Sequence, residues 1–127
     1  MPYDILQSKL GPILFSRNEE GLNRIHFLES DKPILRDEHW QKDGRDPLLK
    51  EVRRQLKAYF SGKLRTFSLP LSLDGTDFQV RVWNLLSTIP YGDTWSYKEL
   101  ATAVGNPNAC RAVGNANGKN KIPIVLP

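Results

Sequence analysis

The chain has 127 residues, 39% of them hydrophobic and 25% charged, with a formal net charge of +4; this composition fits a globular protein with room for one domain or two small ones and argues against a disordered or fibrous class. No apolar run approaches the ~20 residues of a membrane span, and the start MPYDILQSKLGPIL lacks a basic stretch followed by an apolar one, so a cytoplasmic protein is expected, nuclear in a eukaryote. The single cysteine, Cys110, excludes an intrachain disulfide and a multi-cysteine zinc site, and neither a metal nor a cofactor is expected.

The first 30 residues alternate in polarity between turn signals: YDILQS, Gly11-Pro12, ILFSR, Glu20-Gly21 and LNRIHFL. This spacing predicts three short strands in an antiparallel meander. Residues 31 to 45 are polar and without period, which predicts a surface loop. Asp46 suits an N-cap and Pro47 the first helical position, because the early amides of a helix have no partner within it. Leu48, Leu49, Val52, Leu56, Tyr59 and Phe60 then recur on one helical face up to Gly62, predicting an amphipathic helix packed on the sheet. LRTFSLPLSLDG follows as an extended connector.

A second unit is expected from Thr76, which with Gln79 has the spacing of a capping box. Phe78, Val82, Leu85, Leu86 and Ile89 form the apolar stripe of its first helix, which Pro90 and Tyr91-Gly92-Asp93 break. Ser96 and Glu99 form a second box and open a helix from Tyr97 to Val104. Gly105-Asn106-Pro107 reads as a three-residue turn, with Asn106 as cap and Pro107 beginning a helix to Asn117. Two short helices joined by such a turn outline a helix-turn-helix. The expected fold is therefore α+β: a small antiparallel sheet with a helix over residues 1–75, then a helical, helix-turn-helix unit over 76–127.

Charge distribution sharpens the outline, since the charged residues after Thr94 are Lys98, Glu99, Arg111, Lys119 and Lys121, four positive and one negative. In the last helix the side chains are mostly small, and Arg111 is the only long basic one. Small residues let a helix approach a nucleic acid closely while a long cation enters a groove or the base stack; they also suit packing against another helix, with Arg111 merely solvated. Gly114, Asn115, Asn117, Gly118 and Asn120 crowd ahead of an apolar, strand-like run, IPIVLP. Such density serves turns, or lets Asn120 orient a buried group. Cys110 can act as a small hydrophobe or, near the positive end of its helix and Arg111, as a more reactive thiol. His26 and His39 lie far from it in sequence, and no phosphate-binding loop, paired carboxylate or metal-spaced ligand set is present.

The segment FQVRVWNLLSTIPYGDTWSYKELATAVGNPNACRAVGNANGKNKIPIVLP, Phe78 to Pro127, closely resembles the carboxy-terminal domain of O6-alkylguanine-DNA alkyltransferases, the methylated-DNA-protein-cysteine methyltransferases. DPLLKEVRRQLKAYFSGKLRTFSLPLSL resembles that family's more variable amino-terminal domain. The resemblance implies a monomer that binds double-stranded DNA, flips out an O6-alkylguanine and moves the alkyl group, once and irreversibly, to a cysteine. It implies that Arg111 fills the vacated stack from the minor groove and that Tyr97 crowds the phosphate beside the flipped nucleotide. Asn120 matches the asparagine that orders the active-site turn. Ala109, Ala112 and Gly114 match the small residues that let the helix sit in the groove, and Asn106 in the preceding turn is expected at the DNA as well.

In the family a cysteine, a histidine and an arginine follow the proline matching Pro127, with a glutamate later. The acceptor is accordingly expected beyond Pro127, Cys110 occupies a position where alanine is common, and these 127 residues alone are expected to transfer no alkyl group. Two other readings compete: a non-catalytic, alkyltransferase-like lesion-binding protein with tryptophan in place of the reactive cysteine, and a dimeric transcriptional regulator reading palindromic sites. The alanine-rich helix argues against the regulator.

Overall fold

A computed structural model describes residues 1–29, 36, 38–90 and 93–126. The chain divides into two compact units, Met1–Ser72 and Leu73–Pro127. Together they make an α+β protein with a small sheet and four helices.

In the first unit, β1 (Pro2–Ser8), β2 (Gly11–Arg17) and β3 (Leu22–Phe27) form the expected antiparallel meander. The loop expected over 31–45 falls partly outside the described residues; within the rest, Gln41 and Lys42 form β4, parallel to β1, so the sheet is mixed and its order is β3-β2-β1-β4. Two residues carry no period, which is why polarity alone hid this strand; the amides of Gln41 and Asp43, donating to the carbonyls of Met1 and Tyr3, define it. Strand β2 is central, and Ile13, Leu14, Phe15 and Ser16 are all buried, as a strand with neighbours on both sides permits.

Helix α1 (Pro47–Phe60) begins as its sequence predicts: the Asp46 carboxylate accepts from the Leu49 amide at 2.9 Å, with Pro47 at the first position. Leu49, Val52 and Leu56 are its buried apolar residues, and the helix lies against β1, β2 and β3. Arg53 ties it to β1 through Asp4, a buried carboxylate, at 2.7 Å and the Ile5 carbonyl at 2.7 Å. The stretch expected as a connector is sewn to this unit. The buried Gln55 amide both donates to the Ser68 carbonyl (3.0 Å) and accepts from the Ser68 amide (2.9 Å). Leu22 in turn exchanges main-chain bonds with Pro70 and Ser72. Gly21 permits that approach, since a Cβ there would stand 2.3 Å from the Pro70 oxygen.

The second unit packs α2 (Asp77–Leu86), α3 (Tyr97–Ala103) and α4 (Cys110–Gly118) around Val82, Trp83, Leu86, Leu100, Ala101, Val104, Val113, Ala116, Ile122 and Leu126. Both capping boxes form, Thr76 with Gln79 and Ser96 with Glu99. Helix α2 stops short of Ile89, because Ser87 and Thr88 turn their hydroxyls onto the carbonyls of Asn84 (2.6 Å) and Leu85 (2.7 Å) and compete with further helical bonding. Tyr91 and Gly92 of the expected break lie outside the described residues. Among the described residues no helix is long and apolar enough to cross a membrane.

The connection between α3 and α4 differs from the sequence reading. Asn106 does not cap a helix beginning at Pro107; α4 begins at Cys110, with Ala109 as an N-cap that offers no side-chain bond. Asn106 instead completes the end of α3: its amide reaches back to the Ala101 carbonyl and the Gly105 amide to Thr102, with Gly105 at φ +91°, the paired closure that a left-handed glycine allows. Its side chain accepts from the Asn108 amide at 3.2 Å and its carbonyl from Ala109 at 3.0 Å, folding Pro107 and Asn108 into a turn. The helix-turn-helix is thus α3, a link of residues 104–109, and α4. The apolar end is likewise not a strand: residues 123–125 are in a turn.

Candidate nucleic-acid interface

Tyr97 is the first residue of α3, and the Ser96–Glu99 box determines where it stands: Ser96 Oγ accepts from the Glu99 amide at 3.1 Å and Glu99 Oε1 from the Ser96 amide at 3.3 Å. The Tyr97 side chain leaves the helix outward, and the residue is 50% exposed, unusual for an aromatic in a unit with a well-filled core. One edge of its ring lies against Gly114 of α4. These two sequence-selected residues are therefore neighbours in space.

Helix α4 has two faces. Val113 and Ala116 are buried in the unit, consistent with the reading that some of its small residues serve helix packing. Arg111, Ala112 and Asn115 are exposed, and Ala109 and Gly114 are half-buried. Positions 111, 114 and 115 fall on one side of a helix, three and four residues apart. The Arg111 side chain makes no ion pair or hydrogen bond among the described residues, and neither do the side chains of Lys98, Lys119 and Lys121, all exposed. A long guanidinium on a helix of small residues, beside an exposed tyrosine and with unneutralised lysines nearby in sequence, suits a polyanion approached at close range.

Asn120, just past α4, holds the turn that follows. Its Oδ1 accepts from the Ile122 amide at 2.8 Å and its Nδ2 donates to the Leu126 carbonyl at 2.7 Å, while the Leu126 amide returns to the Ile122 carbonyl at 3.0 Å. One side chain thus closes both ends of a tight loop whose flanking residues, Ile122 and Leu126, are 2% and 1% exposed. Within it Ile124 has φ +76°, a conformation that costs a β-branched residue energy and needs such external support.

Cys110 is the first residue of α4. Its half-buried thiol donates weakly to the Pro107 carbonyl at 3.8 Å. No group of three or more His, Cys, Asp or Glu side chains among the described residues could hold a metal ion. Two residues that sequence reasoning passed over organise the unit. Trp83, one position beyond the chosen stripe, donates its indole Nε1–H to the Ala116 carbonyl at 2.9 Å and so holds α4 on α2. The Arg81 guanidinium bonds the Val104 carbonyl at the end of α3, where a cation meets the negative pole of a helix. A tryptophan at a helical position beside the apolar stripe was the only signal for the first; nothing in the sequence pointed to the second.

Known proteins resemble this chain over its whole length. Residues 1–73 match the family model described as 6-O-methylguanine DNA methyltransferase, ribonuclease-like domain, and residues 77–127 that described as 6-O-methylguanine DNA methyltransferase, DNA binding domain. The chain is 49% identical over 127 residues to a methylated-DNA–protein-cysteine methyltransferase of Methanosarcina barkeri, covering 100% of this chain and 79% of that protein. It is 40% identical over 130 residues to the constitutive enzyme of that name from Bacillus subtilis, covering 98% and 76%. A crystal structure of Mycobacterium tuberculosis OGT in complex with DNA superposes with a TM-score of 0.88 at 42% identity, over 100% of this chain and 76% of that one. This chain belongs to the 6-O-methylguanine DNA methyltransferase family.

Proposed function

We propose that this protein repairs DNA by direct reversal, removing the alkyl group from O6 of guanine in double-stranded DNA by transfer to one of its own cysteines. The observation that carries the reading is the juxtaposition of an exposed Tyr97 with α4, whose outward side offers a guanidinium, Arg111, with no partner among the described residues, amid small residues. In this reading residues 76–127 face the DNA and residues 1–75 form the supporting amino-terminal domain. The protein acts as a monomer in the cytoplasm.

Arg111 enters from the minor groove and occupies the stack that the lesion leaves, offsetting part of the few kcal/mol that extrusion costs. Tyr97 crowds the adjoining phosphate and turns the nucleotide outward. Ala109 and Ala112 allow a close approach of the helix, and Asn106 lies in the turn beside them. Asn120 keeps the turn after α4 in a single conformation against which the extruded base can dock. In the transfer a thiolate attacks the alkyl carbon, a carbon–sulfur bond forms as the carbon–O6 bond breaks, and guanine departs with the bonding pair and takes up a proton. The acceptor lies beyond Pro127. The names of the relatives, which specify transfer to a cysteine, disfavour a non-catalytic lesion-binding role.

The test is peptide mass mapping after incubation with a duplex containing O6-methylguanine, on the polypeptide extended through the residues encoded after Pro127 and on residues 1–127 alone. The reading expects the methyl group on a cysteine after Pro127 in the first and no transfer in the second. Methylation of Cys110, or a lesion left intact by the extended chain, would overturn it.

A further inference from the structure

Gly114 stands inside α4, where glycine lowers helix stability relative to alanine. Its backbone is ordinary for a helix, so no left-handed conformation demands glycine there. Close approach to DNA does not single it out either: its neighbours Arg111, Ala112 and Asn115 are more exposed than Gly114 and all carry side chains. What a side chain at 114 would meet is Tyr97. A Cβ built there stands 3.1 Å from Tyr97 Cε2, 3.3 Å from Cδ2 and 3.7 Å from Cζ, the first two closer than ordinary van der Waals contact. Because the Ser96–Glu99 box fixes the start of α3, the backbone of Tyr97 has little room to yield, and the ring, half in solvent, would be the part to move.

We propose that Gly114 is a positioning residue for base extrusion, glycine because only a bare backbone leaves the Tyr97 ring where it meets the phosphate of the lesion nucleotide. The inference rests on the role given to Tyr97 above. It assigns Gly114 to the flipping step and not to groove fit, and the two assignments predict different behaviour. A residue needed for groove fit weakens binding to any duplex when enlarged. A residue acting through Tyr97 leaves binding to undamaged DNA alone, lowers extrusion, and has nothing left to lower once the tyrosine ring is gone. Gly118, at the end of the same helix, has nothing within 4 Å of its Cβ position and serves as a control for the change in helix propensity.

The experiment compares wild type, Gly114→Ala, Gly118→Ala, Tyr97→Ala and the Gly114→Ala/Tyr97→Ala double variant, each in the chain extended past Pro127. Two quantities are read: Kd for an undamaged duplex, and the fluorescence rise at saturating protein of a duplex with 2-aminopurine beside O6-methylguanine, which reports loss of stacking. Gly114→Ala is expected to lower the extruded fraction relative to the stacked one about tenfold, the scale of a sub-ångström misplacement of an acting group. Its Kd for undamaged duplex and the behaviour of Gly118→Ala should match wild type. In the Tyr97→Ala background Gly114→Ala should add nothing, the coupling that a shared mechanism requires. A normal fluorescence rise with Gly114→Ala, an equal weakening toward undamaged DNA, or an undiminished effect in the Tyr97→Ala background would each overturn the proposal while leaving the repair reading intact. If wild type itself gives no rise with the lesion duplex, the role of Tyr97 falls, and the proposal with it.

Discussion

The indole Nε1–H of Trp83 donates to the Ala116 carbonyl at 2.9 Å, so that α2 grips the backbone of α4 through a buried hydrogen bond. Trp83 is itself buried, and its ring also lies 2.7 Å from the position a Cβ would take on Gly75. Replacing it by Phe keeps most of the apolar packing but leaves the Ala116 carbonyl without this donor. The expected loss is about 1 to 3 kcal/mol in the unfolding of the second unit, measured by urea denaturation followed by far-ultraviolet circular dichroism. An unchanged midpoint would show that the bond contributes nothing net.

In the proposed reading Arg111 acts on stacked bases and not on the chemistry of transfer. Arg111→Ala is therefore expected to slow removal of O6-methylguanine from a duplex while leaving transfer from the free O6-alkylguanine base, which needs no extrusion, unchanged. The comparison requires the chain extended past Pro127 and single-turnover rates on both substrates. The slope of log Kd against log salt should also become shallower by about 1 if the guanidinium neutralises a phosphate. Equal slowing on both substrates would instead implicate Arg111 in the transfer step.

Asp46 joins two roles, capping α1 at the Leu49 amide and pairing with Arg17 at 3.1 Å. Partial burial acts to raise its pKa, but the Leu49 amide, the Arg17 hydrogen bond and the Arg17 charge together hold it below the ordinary value of 3.8. The carboxylate therefore stabilises the fold fully above pH 3.8, and this contribution fades as the pH falls through the lower folded value. Asp46→Asn keeps a capping oxygen and removes the charge. Its stability deficit relative to wild type should be present at neutral pH and close below pH 3.8, as read from thermal midpoints across an acid series. Asp46→Ala should cost more, about 1 kcal/mol, because the cap goes as well.

Much of the architecture was legible because it is decided over three or four residues. Asp46-Pro47, Thr76 with Gln79 and Ser96 with Glu99 each announce a helix start through bonds that close within one turn, and all three form. Asn106-Pro107 misled for the same reason: an asparagine before a proline serves equally to cap a helix ahead or to close a turn behind, and the Ala101 carbonyl settled the choice. IPIVLP looked like a strand because it is apolar and branched. Asn120 instead bends it, bonding Ile122 and Leu126 from a position outside the run.

The sequence by itself determined the starts of α1, α2 and α3, the antiparallel meander and, through its resemblance, the residues to watch: Tyr97, Arg111, Gly114 and Asn120. Only the tertiary structure decided their partners. It set Tyr97 against Gly114, Trp83 on Ala116 and Arg81 on Val104, and drew Gln41–Lys42 beside β1. Capping and amphipathic period are short-range preferences that each segment carries alone. Contacts between helices and strands arise only when burial of the apolar faces brings distant segments together, and a single side chain can then meet a backbone 33 residues away, as Trp83 meets Ala116.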